Sequence, residues 1–97
     1  MQYAGTPCYM APELFQKRKY DEKVDVFAFG TLLWELVERK VPFDGFDAGE
    51  IRGKVESGEP LRANYGIDAR ITQLINECRN VQSGNRPNFA QVVSVLS

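Results

Sequence analysis

The run Asp25–Glu38, DVFAFGTLLWELVE, limits what this chain can fold into more than any other stretch. Nine of its fourteen residues are apolar: Val26, Phe27, Ala28, Phe29, Leu32, Leu33, Trp34, Leu36 and Val37. At helical spacing they fall on nearly every side of the cylinder, and such a helix has to be surrounded by protein. A membrane span needs about 18 or more consecutive apolar residues with few charges. This run holds Glu35 and closes on Glu38, Arg39 and Lys40, so it reads as a soluble core helix over about 25–38. Asp25 is its candidate N-cap. Gly30 costs about 1 kcal/mol relative to Ala inside a helix, which close approach of a second backbone would offset.

The other segments read as shorter helices joined by polar loops. Gly5 and Pro7 make Met1–Tyr9 an extended loop. Pro12 suits the first turn of a short helix over Ala11–Phe15, because its missing N–H would have been unpaired there anyway. Gln16–Lys23 is a polar loop, and Pro42–Gly45 is the turn after the central helix. Asp47 and Glu50 form a capping-box pattern for a mostly exposed helix over 47–57, which Gly58 and Pro60 end. Asp68 caps a helix whose Ile71, Leu74, Ile75 and Cys78 recur at i, i+3, i+4 and i+7. Asn88 and Gln91 start a last helix, with Phe89, Val92, Val93 and Leu96 at the same spacing. No alternating apolar and polar run is bounded by hairpin signals. The expected fold is all α, one domain over 1–97.

Bulk properties exclude several function classes. The formal net charge is -1, so no general field draws the chain to nucleic acid or anionic lipid. Cys8 and Cys78 are too few and too far apart for a disulfide framework, and without His the usual zinc patterns are missing, so no metal site is expected. Both cysteines read as free thiols, Cys8 as an ordinary exposed one. The start of the chain lacks the basic segment and apolar run of a secretory signal, which makes a cytoplasmic location the default. Lys17, Arg18 and Lys19 are followed at once by Asp21 and Glu22 and read as a solvated loop. There is no His for a triad, no GxSxG elbow and no glycine-rich loop ahead of a helix, so the residues alone show no active site.

One nonamer does stand out, Gly5-Thr6-Pro7-Cys8-Tyr9-Met10-Ala11-Pro12-Glu13. It resembles the end of the activation segment of eukaryotic protein kinases. The resemblance continues in register: Tyr20–Gly30 is similar to the entry into that family's central C-lobe helix, Val41–Gly45 to the loop after it, and Cys78 with Arg86–Phe89 to the closing motif. It therefore implies the helical subdomain of a kinase C-lobe. Thr6 with Tyr9 resembles the serine/threonine type, and LLWEL, PFDG and RPNF resemble the tyrosine-kinase-like group. Phe27 stands where the family usually has Trp. Arg79 replaces a frequent Trp or Leu, and Gln82-Ser83 replaces an acidic-Pro pair, which is expected to loosen the last loop.

The resemblance assigns roles. In a complete parent Gly5, Thr6, Pro7, Cys8 and Tyr9 would form the floor for the substrate residue that follows the phosphorylated one, with Thr6 and Tyr9 plain turn and core residues as the reading for this chain alone, and the 47–57 helix would dock substrates or regulators. Glu13 and Arg86 would form a buried ion pair, against the alternative of two solvated charges. Asp25 would anchor the catalytic loop, or serve as a plain helix cap. The catalytic Asp and Asn, the strand Lys and the metal-binding Asp of a working kinase all lie upstream of this motif. ATP and Mg are thus implied for a complete parent and not for these residues, which are expected to be inactive alone. The alternative is a truncated kinase-like module that binds protein partners without catalysis. Because the family covers part of the central helix with upstream elements, self-association of this chain is also expected, with no nucleic-acid or membrane partner.

Overall fold

A computed structural model of the chain describes residues 7–62 and 67–97. A 3-10 turn at Pro7–Tyr9 leads into five α-helices: α1 Pro12–Phe15, α2 Lys23–Glu38, α3 Ala48–Glu56, α4 Ala69–Cys78 and α5 Phe89–Leu96. No strand occurs among the described residues, and the architecture is all α. Of the extended loop expected over Met1–Tyr9, the part Pro7–Tyr9 is a turn, and residues 1–6 lie outside the described residues. A second 3-10 turn, Ser83–Asn85, lies in the loop before α5.

Helix α2 is the hub. Its 16 residues carry Val26, Phe27, Ala28, Gly30, Thr31 and Trp34 into the interior. On one side Val26 packs with Leu74, Cys78 and Val92, joining α2, α4 and α5. On another, Phe27 packs with Ala11 and Val55, bringing in α1 and α3. Trp34, Leu61 and Ile75 close a third cluster, and the indole N–H donates to the Arg62 carbonyl at 2.8 Å. Gly30 is where α2 and α4 cross: a Cβ there would stand 2.6 Å from the Cys78 Cβ and 3.3 Å from the Ile75 carbonyl oxygen.

The caps explain most boundaries. Asp47 with Glu50, and Asn88 with Gln91, each form a reciprocal capping box. Asp68 accepts from the Arg70 N–H at 2.8 Å. Helix α3 ends with Gly58 at φ +78, where the Gly58 N–H reaches the Val55 carbonyl and the Glu59 N–H the Lys54 carbonyl, a Schellman closure.

Asp25 is not the cap of α2. The helix starts at Lys23, and the Asp21 carboxylate accepts from the Lys23 N–H at 2.9 Å. Asp25 lies inside the first turn, exposed, where a negative charge complements the positive end of the helix dipole. Nor is α2 covered on all sides, since Leu36 is 66% exposed and Val37 also faces outward. Helix α5 buries only Val92 from its apolar stripe; Phe89, Val93 and Leu96 are exposed.

Candidate functional site

The first turn is tied to the helical body at several points. Tyr9, half-buried, donates its phenolic hydrogen to Glu35 on α2. Burial raises the Glu35 carboxyl pKa above its ordinary value. The Met10 N–H closes the turn on the Pro7 carbonyl at 3.1 Å. Helices α2 and α3 both pack against this turn, which sets the 47–57 segment beside Pro7–Tyr9. Gly5 and Thr6 lie outside the described residues.

Cys8 is buried rather than exposed, at 6% accessibility. Loss of hydration and the nearby Glu35 charge raise its thiol pKa, with Arg79 pulling the other way. A thiol in that state is a poor nucleophile. Cys78 is likewise buried, and desolvation with the neighbouring Glu77 pushes its pKa to about 11.

Glu13 and Arg86 form a two-pronged ion pair. The two terminal nitrogens of Arg86 donate to the two carboxylate oxygens of Glu13 at 2.8 and 2.9 Å, with both side chains almost fully buried. Arg86 also donates to the carbonyls of Asn80 and Lys23, at 2.8 and 3.1 Å. Lys23 returns the contact through its ammonium, which reaches the Arg86 carbonyl at 2.7 Å. Burial alone would raise the Glu13 pKa; the hydrogen bonds and charge of Arg86 outweigh it and hold the carboxyl below 4.5.

Arg79 contradicts the expected loosening of the last loop. It caps the end of α4, buried, with its guanidinium 4.6 Å from the Phe27 ring centre and 5.8 Å from that of Phe43. A planar cation can replace a large aromatic side chain there because it stacks on aromatic faces. Burial lowers its pKa to about 10, so it stays charged at neutral pH. Thr31, Glu35 and Lys23 were not singled out from sequence. The available signals were a hydroxyl and a carboxylate within an otherwise apolar helix, and a departure at Arg79 paired with one at Phe27.

A nucleotide and its metal each call for particular groups. Among the described residues no group of three His, Cys, Asp or Glu side chains could hold an ion. A cleft of about 510 Å³ between α4, α5 and the start of α2 is lined by Lys23, Glu77, Asn85 and Arg86. Its two cations are already engaged with the Arg86 carbonyl and with Glu13, which leaves no cradle for a triphosphate.

Comparison with known proteins bears on this geometry directly. Residues 2–96 match the family described as protein tyrosine and serine/threonine kinase. The chain belongs to the protein kinase family. A probable serine/threonine-protein kinase of Dictyostelium discoideum is 42% identical over 84 residues, covering 87% of this kinase chain and 7% of the relative. A probable LIM domain-containing serine/threonine-protein kinase of the same organism is 37% identical over 92 residues, covering 95% of the chain and 14% of the relative. The human serine/threonine-protein kinase Nek2 is 32% identical over 91 residues, covering 94% of the chain and 20% of the relative. The kinase chain thus spans a small part of the length of each of these relatives. No helix among its described residues is long and apolar enough to cross a membrane.

Proposed function

We propose that the 97 residues are the C-lobe part of a serine/threonine kinase domain of the tyrosine-kinase-like group. In that reading the Gly5–Tyr9 segment forms the floor under the substrate, and the 47–57 helix docks substrates or regulators. Phosphoryl transfer to protein Ser or Thr, with ATP and Mg, belongs to a longer cytoplasmic parent. The observation that supports this most is the threefold fastening of the segment after Thr6: Tyr9 to Glu35, the Cys8 carbonyl to Thr31, and Glu13 to Arg86. A surface that positions a substrate backbone has to be held by rigid elements, since positioning is most of what phosphoryl transfer asks of a protein. Asp25, exposed at the start of α2, is the residue that would anchor the catalytic loop.

The 97-residue chain itself is proposed to be inactive, a reading supported by the lack, among the described residues, of any group of three His, Cys, Asp or Glu side chains that could hold an ion. A phosphorylation assay on a generic Ser/Thr substrate, with a calorimetric ATP titration beside it, should give blank values. Turnover above blank, or sub-millimolar ATP affinity, overturns that part. An open reading frame upstream that encodes the HRD and DFG motifs supports the parent; a stop codon there favours the second reading, a kinase-like module that binds proteins. The exposed apolar residues Leu36, Phe89, Val93 and Leu96 favour that second reading.

A further inference from the structure

The floor segment hangs on a bridge that starts two elements away. The guanidinium of Arg79, at the end of α4, donates to the Thr31 hydroxyl at 2.9 Å. The Thr31 hydroxyl in turn lies 3.2 Å from the Cys8 carbonyl and 3.3 Å from the Phe27 carbonyl of its own helix. Thr31 has 0% exposure, and all three partners are buried. A hydroxyl has one hydrogen to give and lone pairs to receive. Since Arg79 supplies the hydrogen on one side, the Thr31 hydrogen is left for a carbonyl, and a donor that is itself accepting a bond from a cation donates more strongly. The Cys8 carbonyl would otherwise be a buried acceptor without this donor, a costly state.

Neither residue is needed for filling. A Val matches the Thr31 volume in an apolar helix, and a large apolar side chain could lie between Phe27 and Phe43 in place of a charged one. What Arg79 and Thr31 add is a directed link from the α2–α4 crossing to the first turn. We propose that Arg79 and Thr31 are positioning residues, which set the Pro7–Tyr9 turn, and so the substrate floor, through the Cys8 carbonyl. The role as floor rests on the kinase reading above; the bridge itself does not, because its test uses no phosphoryl transfer.

The two cysteines provide the readout. Cys8 sits in the turn, while Cys78 is buried between α2 and α4 and labels only when the helical body opens. The 97-residue chain is treated under native conditions with an aromatic disulfide reagent, and each thiol is followed by mass spectrometry. Thr31→Val should speed Cys8 labelling about tenfold, the population change expected from loss of one buried hydrogen bond. In Thr31→Val, Cys78 labelling should change less than about twofold, because Thr31 is not in the cluster that buries Cys78. Thr31→Ser should return Cys8 to the unmodified rate, and Arg79→Met should act as Thr31→Val does. Amide exchange at Met10, whose N–H closes the turn, should follow the Cys8 rate. Equal acceleration of both thiols, an unchanged Cys8, or a Ser variant that behaves as the Val variant overturns the proposal. If Arg79→Met does not fold, the near-isosteric Val and Ser pair still decides it.

Discussion

Tyr9 and Glu35 meet through a phenol-to-carboxylate hydrogen bond across 26 residues of chain, and that bond fastens the first turn to the middle of α2. Burial favours the neutral carboxyl and raises its pKa, whereas a donor aimed at the carboxylate favours the charged form. Tyr9→Phe should therefore raise the Glu35 pKa further. An NMR titration of the Glu35 side-chain carboxyl checks this; an unchanged or lower midpoint in the variant would show that the phenol does not hold the charged form.

Removing Arg86 strands the Glu13 carboxylate in the interior. Loss of one partner of a buried pair costs about 3–5 kcal/mol, so Arg86→Ala should lose most of the stability of a domain this small in urea unfolding. Arg86→Lys should recover little, since an ammonium cannot match both carboxylate oxygens. A loss under about 1 kcal/mol for the Ala variant is the behaviour of an exposed pair and contradicts the geometry.

Acid should act on the same pair. The Glu13 pKa is lower folded than unfolded, so its stabilisation is fully present above the unfolded value of 4.5 and is lost as pH falls through the lower folded value. Glu35 has the opposite sign: its raised folded pKa gives stability back as pH falls through that value toward 4.5. Urea midpoints measured from pH 7 downward should hold or rise slightly before falling below about 4.5, and Glu13→Gln should lower the neutral midpoint while flattening the acid fall. A Glu13→Gln variant with the same acid slope as the unmodified chain would assign the loss to other carboxylates.

Gly30→Ala sets helix propensity against packing. Ala gains about 1 kcal/mol over Gly in a helix, yet the new methyl would stand 2.6 Å from the Cys78 Cβ and force α2 from α4. Overpacking costs about 1–3 kcal/mol, and with backbone atoms of α4 behind Cys78 the cost should prevail. A lowered thermal midpoint is expected; a raised one would mean the helices separate freely.

Self-association is the expected outcome of what remains uncovered. Leu36 on α2 and Phe89, Val93 and Leu96 on α5 are exposed, and Phe29 meets Phe89 edge to face at the junction of the two helices. Apolar area of that kind is normally covered. Sedimentation velocity should show dimers at tens of micromolar, and Val93→Glu with Leu36→Glu should shift them to monomer. A monomer that binds no hydrophobic dye would show the face to be tolerated in water.

Sequence legibility tracked the locality of each interaction. The capping boxes at Asp47 and Asn88 could be read directly because cap and partner are three residues apart. The close approach at Gly30 was readable because a glycine in an apolar helix calls for a reason. The Asp25 cap was misplaced by four residues: the side chain that takes a first-turn N–H is Asp21, but Asp25 stands directly before the apolar Val26 whereas Asp21 is followed by the charged Glu22 and Lys23. Cys8 was misjudged because the elements that pack on its turn are α2 and α3, far along the chain, which no local pattern can show. Arg79 itself reads as a defect in isolation, and becomes sensible only when its stacking on Phe27 is seen.

The Glu13–Arg86 pair also constrains the order in which the molecule can be finished. Its acid is made 73 residues before its base. Until that late stage α1 must either keep Glu13 in water or bury an unmatched charge. The α1 segment therefore cannot settle onto the body before Arg86 is made. Completion waits on Arg86, so a chain cut short before that residue should keep its first turn open and be the form that proteases and chaperones find.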